Sequence, residues 1–216
     1  MIKQFSSKNL KISLAQIYGV YIIIFFLWFL YRYLTRFSDI TDELIAKPLL
    51  WIVPILFVYL VYTKQNFLSL FSLKNITIKM ILLGIGGGVF LTVLQIIPLM
   101  MNGYAKFHIP PGLFNLTLAT VGTAISEEVL FRGFIFKQLQ NYYSIFASYL
   151  IDSLLFSAIH IPILLFISHY SGNSLLIALY ITFASSLVFC WVYSYSKNLW
   201  VVILTHFMMD FLPLVY

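Results

Sequence analysis

Residues 113–136 read LFNLTLATVGTAISEEVLFRGFIF, an apolar stretch that nevertheless carries Glu127, Glu128 and Arg132. The whole chain has only seven acidic residues, and two of them are adjacent here between apolar neighbours. Charges at membrane depth cost several kcal/mol unless partners or water compensate them, and such charges commonly mark functional sites. The stretch therefore predicts a membrane-spanning helix with a functional site in it.

The overall composition indicates the class of protein. Hydrophobic residues make up 62% of the chain and charged residues 9%, whereas a soluble domain has roughly 45–50% and about 25%. This composition excludes a soluble globular protein and predicts a single integral membrane domain over residues 1–216, with the lipid bilayer as its main partner. The net charge of +6 comes mostly from basic residues scattered between apolar segments, which favours topology signals over nucleic-acid binding.

Seven apolar segments approach the roughly 20 residues that a helix needs to cross a bilayer. They are Leu14–Tyr33, Pro48–Tyr62, Ile78–Met100, Leu113–Phe136, Ile145–Ile167, Leu175–Tyr195 and Leu199–Val215. The predicted fold is all-α: a polytopic transmembrane helix bundle of about seven spans. The first segment has no small-residue cleavage site after it, so we interpret it as a retained span and not as a signal peptide.

The distribution of lysine and arginine predicts the orientation of the bundle. With a cytoplasmic amino terminus, eight basic residues fall on inner segments, namely Lys3, Lys8, Lys11, Lys64, Lys74, Lys79, Lys137 and Lys197. Four fall on outer segments, namely Arg32, Arg36, Lys47 and Lys106, where Asp39, Asp42 and Glu43 offset them. Because cytoplasmic loops carry the excess of basic residues, we predict a multi-pass protein of the cell membrane with its amino terminus in the cytoplasm.

The first motif on the fourth span is Glu127-Glu128-x-x-x-Arg132. Residues four apart share a helix face, so Glu128 and Arg132 can form an ion pair that orders the helix. Glu127 lies about 100° further round and can face the bundle interior. One carboxylate is then neutralised and the other is available for chemistry. The alternative interpretation is a purely structural cluster of charges.

Two further motifs place polar groups on later spans. Phe156-Ser157-Ala158-Ile159-His160 lies on the fifth span, and His206-Phe207-Met208-Met209-Asp210 lies on the last. His160, His206 and Asp210 must find polar partners inside the bundle, and Glu127 is the obvious one. Counting residues from the span ends places Glu127 and His206 at a similar depth but His160 deeper, a mismatch that the sequence leaves open.

Other features carry weaker predictions. The run Gly84-Ile85-Gly86-Gly87-Gly88 is not followed by Lys-Ser/Thr, so it is predicted to permit close helix packing and not to bind phosphate. Asp152 either faces the same cavity as His160 or lies near a span end. The single cysteine, Cys190, excludes a disulfide framework.

Taken in order, Glu-Glu-x-x-x-Arg, Phe-x-x-x-His and His-x-x-x-Asp on successive apolar spans resemble the three motifs of the CAAX-protease and bacteriocin-processing family (CPBP, or Abi) of intramembrane endopeptidases. The resemblance covers about residues 113–216. The third motif of that family often ends in asparagine, and Asp210 adds a possible negative charge at this position.

The resemblance implies hydrolysis of peptide bonds in a membrane-associated peptide or protein substrate. It implies that Glu127 activates water as general base and that His160 helps to hold that water. His206 and Asp210 would stabilise the oxyanion. A protonated histidine suits that electrostatic role.

Two alternatives remain open from the sequence. Glu127, His160, His206 and Asp210 could instead be ligands of a catalytic zinc ion, although the spacing is not His-Glu-x-x-His, and we favour a mechanism without a cofactor. The protein could also be a non-catalytic bacteriocin-immunity or transport protein that uses the same polar cluster for binding. The sequence shows no inverted repeat of the kind that many carriers have.

Overall fold

The computed structural model describes residues 12–35, 37–63, 76–101 and 109–215, and all regular structure in these ranges is helical. The helices are α1 (Leu14–Leu34), α2 (Asp39–Val61), α3 (Ile78–Met101), α4 (Leu113–Glu128, continued as a π-helix over Val129–Phe136), α5 (Ile145–Ile159), α6 (Ile161–Phe166), α7 (Gly172–Ser196) and α8 (Leu199–Phe211, followed by a 3₁₀ turn over Leu212–Val215). The predicted all-α, polytopic membrane bundle is confirmed.

Five segments in the described part of the chain are long and apolar enough to cross a membrane. They are Leu14–Leu34, Asp39–Val61, Ile78–Ile97, Ile145–Phe166 and Gly172–Ser196. The predicted fourth span is helical throughout but is not among the five, and it carries three charged side chains. The predicted last span is a shorter apolar helix, Leu199–Leu214. Among the described residues, five helices are thus candidate full spans by length and composition, against about seven expected.

The second helix begins nine residues earlier than the sequence predicted. Its first turns, Asp39–Thr41 and a π-helical turn over Asp42–Ala46, hold the charges that had been assigned to an outer loop. Ser38 caps this helix by accepting a hydrogen bond from the Thr41 backbone N–H. Lys47 and Pro48 then open the regular α-helical part, so the charged turn is continuous with a buried helix.

The fifth predicted span is broken at His160, between α5 and α6. Pro162 has no backbone N–H to donate to the carbonyl of Ala158, so the α-helical ladder is interrupted there. The His160 N–H bonds instead to the Ser157 carbonyl at 3.1 Å, as in a 3₁₀ turn. His160 is therefore the last residue before the change of helix.

Helix α8 packs closely on α3 through the glycine run. A Cβ atom built at Gly84 would lie 2.9 Å from the Val201 carbonyl oxygen, and one at Gly88 would lie 2.5 Å from the Met208 Cβ. Ordinary carbon–carbon contacts are about 3.5–4.0 Å. The glycines therefore permit the close approach that the sequence suggested, and they fix α8, which carries His206, against its neighbour.

Candidate active site

The structure brings together the charged residues of all three motifs. The Glu127 Oε2 atom lies 3.6 Å from Nε2 of His160 and 3.9 Å from Nε2 of His206. The Nε2 atom of His206 lies 3.2 Å from Oδ2 of Asp210. The depth mismatch that the sequence left open for His160 is absent from the structure, because its Nε2 atom lies 3.6 Å from the Glu127 carboxylate.

His160 is held by its own helix. Its Nδ1 atom lies 2.7 Å from the backbone carbonyl oxygen of Phe156. A carbonyl can only accept, so Nδ1 carries the hydrogen, and a neutral ring then presents the Nε2 lone pair towards Glu127. The four-residue spacing of Phe156 and His160 in the motif supplies this backbone contact.

His206 lies between two carboxylates. Its Nδ1 atom is 2.7 Å from Oε1 of Glu128, and its Nε2 atom faces Asp210. The ring stacks on Phe189, with centroids 4.6 Å apart. An imidazole can donate to both carboxylates only when both of its nitrogens carry hydrogens, so this setting suits a positively charged ring.

Arg132 is fully buried and connects three helices, α4, α5 and α7. Its Nη1 atom donates to Oε1 of Glu128 at 3.2 Å, and its Nη2 atom donates to the Ser186 hydroxyl and carbonyl oxygens at 2.6 and 3.0 Å. Its Nε atom lies 3.7 Å from Oδ2 of Asp152. The guanidinium also lies 4.7 Å from the centre of the Phe156 ring. Arg132 therefore orders Glu128, which in turn holds His206.

Asp152 belongs to this inner network and does not line the cavity beside Glu127. It is completely buried, and it accepts a hydrogen bond from the Cys190 thiol at 3.1 Å. The sequence allowed two positions for Asp152, facing the cavity of His160 or near a span end, and the structure shows neither. Asp152 instead lies beside the Arg132 guanidinium. The cysteine is likewise buried and unbridged.

Lys47 is the site residue that sequence reasoning missed. Its Nζ atom donates to Oε1 of Glu127 at 2.9 Å and also pairs with Glu43. Arg32 pairs with both Asp42 and Glu43. The interpretation of Arg32 and Lys47 as topology charges in an outer segment is wrong, because each is only 3% exposed and lies within the bundle. The signal available in the sequence was the Glu43–Lys47 spacing of four residues directly before an apolar run.

Glu127 therefore uses its two oxygens differently. Oε1 is bound by Lys47, whereas Oε2 is buried and has no hydrogen-bond partner among the described residues. The earlier expectation that Glu127 is unpaired is correct for only one of its two oxygens. The unpartnered oxygen is the one that faces both histidines.

Two cavities meet at the motif residues. The first, of about 290 Å³, also contacts Lys47 and the aromatic rings of Trp28 and Trp51. The second, of about 240 Å³, extends towards α3 and α7. Both share a wall formed by Thr123, Glu127, His160 and Asp210. Each is large enough for several water molecules, so the site can supply the water that hydrolysis needs.

The site is an imperfect match to a zinc centre. Zinc bonds of about 2.0–2.1 Å separate tetrahedral ligands by about 3.3 Å, which is shorter than the 3.6 and 3.9 Å from Glu127 to the histidines. The Lys47 ammonium, 2.9 Å from the same carboxylate, would lie close to the metal charge. In the described part of the chain, no group of three or more His, Cys, Asp or Glu residues is arranged to hold a metal ion.

A helical membrane bundle with a carboxylate–histidine cluster beside internal cavities has the elements of an intramembrane hydrolase. Residues 109–212 match the family model described as Type II CAAX prenyl endopeptidase Rce1-like. The segment that carries the three motifs thus matches a model of this family, and the resemblance inferred from the motifs is confirmed. The family supports a CAAX-type intramembrane endopeptidase in a multi-pass membrane protein. No curated protein and no solved structure matches the chain.

Proposed function

We propose that the protein hydrolyses peptide bonds of a membrane-associated peptide or protein with Glu127 as the general base. The observation that carries this proposal is the unpartnered Oε2 atom, which faces two imidazole nitrogens at the junction of two cavities. The separations of 3.6 and 3.9 Å exceed a direct hydrogen bond of about 2.7–3.2 Å. A water molecule between these groups would meet all three.

The reaction then follows from the roles of the side chains. Glu127 takes a proton from the water while the water oxygen attacks the carbonyl carbon of the peptide bond. His160 holds the water through Nε2. His206, with a hydrogen on Nε2, donates to the oxyanion that forms, and Asp210 stabilises the charged ring. When the carbon–nitrogen bond breaks, Glu127 returns the proton to the leaving amine. The products are a carboxylic acid and an amine.

We propose the metal-free glutamate mechanism over zinc catalysis, because Lys47 already binds one oxygen of the carboxylate and the ligand distances exceed those of a zinc centre. If zinc were bound, Glu127, His160 and His206 would hold it. It would supply a polarised water in place of a general base.

We propose that the amino terminus is cytoplasmic and that the first cavity opens on the opposite side of the membrane. On the topology of seven segments, excluding the buried Arg32 and Lys47 changes the count of basic residues from eight inner against four outer to eight against two, which favours this orientation. The other basic residues of that count, apart from Lys79, Lys137 and Lys197, lie outside the described residues. The first cavity is lined by residues from the end of α1, the beginning of α2 and the beginning of α4, including Trp28, Asp39 and Leu116. The substrate bond would therefore be reached from the non-cytoplasmic side.

The test uses purified protein in lipid nanodiscs with a peptide panel that includes a farnesylated CAAX peptide and membrane-derived hydrophobic peptides. Products are identified by mass spectrometry. Glu127→Gln removes the general base but keeps the shape, so we expect no cleavage with unchanged thermal unfolding. Asp39→Asn makes the same chemical change at an exposed carboxylate on the first cavity and should stay active. Full cleavage by Glu127→Gln would disprove the general-base role.

Chelation separates the remaining alternatives. We expect cleavage to survive a strong chelator. Loss of cleavage that zinc restores, with about one zinc per chain by elemental analysis, would instead establish a metalloprotease. If the wild type cleaves no peptide and its cellular phenotype is indifferent to His160→Ala and His206→Ala, the protein is a non-catalytic immunity or transport protein.

A further inference from the structure

A buried ammonium ion lies beside the proposed general base. The Lys47 side chain is 4% exposed, and its Nζ atom pairs with Glu43 and with Glu127. The same nitrogen lies 5.4 and 5.2 Å from the ring centres of Trp28 and Trp51, within range of cation–π attraction. Lysine is a flexible residue, but here its charged end is held from several directions.

Lys47 is itself tied to the helix that carries the base. Glu43 accepts a hydrogen bond from the Thr123 hydroxyl at 2.8 Å, and Thr123 lies one helical turn before Glu127. Glu43 also accepts from Arg32 at 3.0 Å. The beginning of α2 therefore contacts two successive turns of α4, once through Glu43 in the π-helical turn and once through Lys47 directly after it.

Gly122 makes this contact possible. A Cβ atom built at Gly122 would lie 2.7 Å from the Glu43 carbonyl oxygen and 2.6 Å from Cδ2 of Leu44. These separations are well below an ordinary contact, so the backbone of α2 rests directly on α4. The distance from Lys47 to the carboxylate is thus set by packed backbones and not by surface side chains.

Because Lys47 binds Oε1, a single oxygen of Glu127 faces the histidines. We infer that Lys47 is a positioning residue for the hydrolysis, which binds one carboxylate oxygen and fixes the other towards the water held by His160 and His206. This inference rests on the proposed function of Glu127. Without the ammonium, the carboxylate could rotate about its last bond and offer either oxygen to several partners, and reactions of misplaced groups are slower by on the order of 10²-fold.

The competing explanation is that Lys47 only ties helices together. The two explanations differ in what restores activity. If Lys47 only ties helices together, its loss acts on folding, and adding an amine to the folded variant does not restore activity. If Lys47 positions the carboxylate by its charge, adding an amine to the folded variant restores activity. Lys47 lines the first cavity, so a small reagent can reach a cysteine placed there after purification.

The experiment compares Lys47→Cys before and after reaction with 2-bromoethylamine, which rebuilds a lysine-like amine. Iodoacetamide provides a neutral adduct as control, treated wild type reports any reaction of the buried Cys190, and Lys79→Met changes an exposed lysine. We expect Lys47→Cys and Lys47→Met to lower kcat on the order of 10²-fold. The amine adduct should recover most of that loss and the neutral adduct none, while Lys79→Met keeps the wild-type kcat.

A wild-type kcat in Lys47→Met, or equal recovery with both adducts, would overturn the inference. If neither Lys47 variant folds, Glu43→Gln decides. It weakens the structural tie but leaves Lys47 beside Glu127, so a lower Tm with little change in kcat supports positioning, and a matching loss of kcat refutes it. Glu127→Gln is assayed alongside. Activity in that variant would refute the proposed function itself, whereas an inactive Glu127→Gln with a fully active Lys47→Met refutes only the role of Lys47.

Discussion

Alanine at Gly88 should separate the two helices that set the position of His206. The added Cβ would lie 2.5 Å from the Met208 Cβ and 2.7 Å from the Thr205 carbonyl oxygen. Since ordinary contacts are about 3.5–4.0 Å, α3 and α8 must move apart by about 1 Å locally. Both contacted residues lie within two positions of His206 in the sequence, so the displacement acts on this histidine.

The energetic and catalytic costs of this displacement differ. Overpacking of this kind costs about 1–3 kcal/mol of stability. A shift of about 1 Å in a catalytic group can cost on the order of 10² in rate, because His206 must remain 2.7 Å from Glu128 and level with Glu127. We therefore expect Gly88→Ala to lower kcat strongly while it lowers Tm only slightly.

Gly86→Ala is the matched control. It makes the same change two residues away, where a Cβ would meet nothing within 4 Å, and helix propensity favours alanine by roughly 0.5–1 kcal/mol. Its kcat should equal that of the wild type. The assay measures Tm and steady-state cleavage of the best peptide of the panel for both variants. Equal kcat for Gly88→Ala and Gly86→Ala would refute the conclusion that this helix contact positions His206.

Two further predictions concern the ion pair and the orientation. Glu128→Ala and Arg132→Ala should each destabilise the protein, and a double-mutant cycle on thermal unfolding should give a coupling of about 0.5–3 kcal/mol; additive losses would argue against a direct pair. In intact cells, a membrane-impermeant maleimide should label Asp39→Cys at the first cavity but not Lys79→Cys at the beginning of α3, with both labelled after permeabilisation. The reverse pattern would place the cavity on the cytoplasmic side.

The motifs could be predicted from sequence because their spacing reflects helix geometry. A separation of four residues places two side chains on one face, and the structure shows this for Glu128 with Arg132 and for His206 with Asp210. The scarcity of charged residues also made the cluster predictable. In a chain with so few acidic residues, polar groups on several apolar helices have few partners other than one another.

The contribution of Lys47 could not be predicted in the same way. A basic residue just outside an apolar run is ordinarily a topology signal, and the one local difference between Lys47 and Arg36 or Lys106 is Glu43 four residues before it, which does not indicate a contact with Glu127. Its role depends on a contact across 80 residues of sequence. The depth of His160 was left open for a related reason: the estimate counted residues from predicted span ends, whereas the level of this side chain depends on its contact with Glu127 across the bundle.

The unpartnered oxygens among the buried charges point to where water must bind. Glu127 Oε2, Glu128 Oε2 and Asp152 Oδ1 all lack a hydrogen-bond partner within the described residues, and such a buried group costs about 1–3 kcal/mol. Arg132 compensates the last two carboxylates by charge. Of the three carboxylates, Glu127 is the one that lines the two cavities described above, so its oxygen can be satisfied by a mobile donor there. The least costly way to satisfy this oxygen is to bind a water, and a water bound there would be the one that the proposed general base activates.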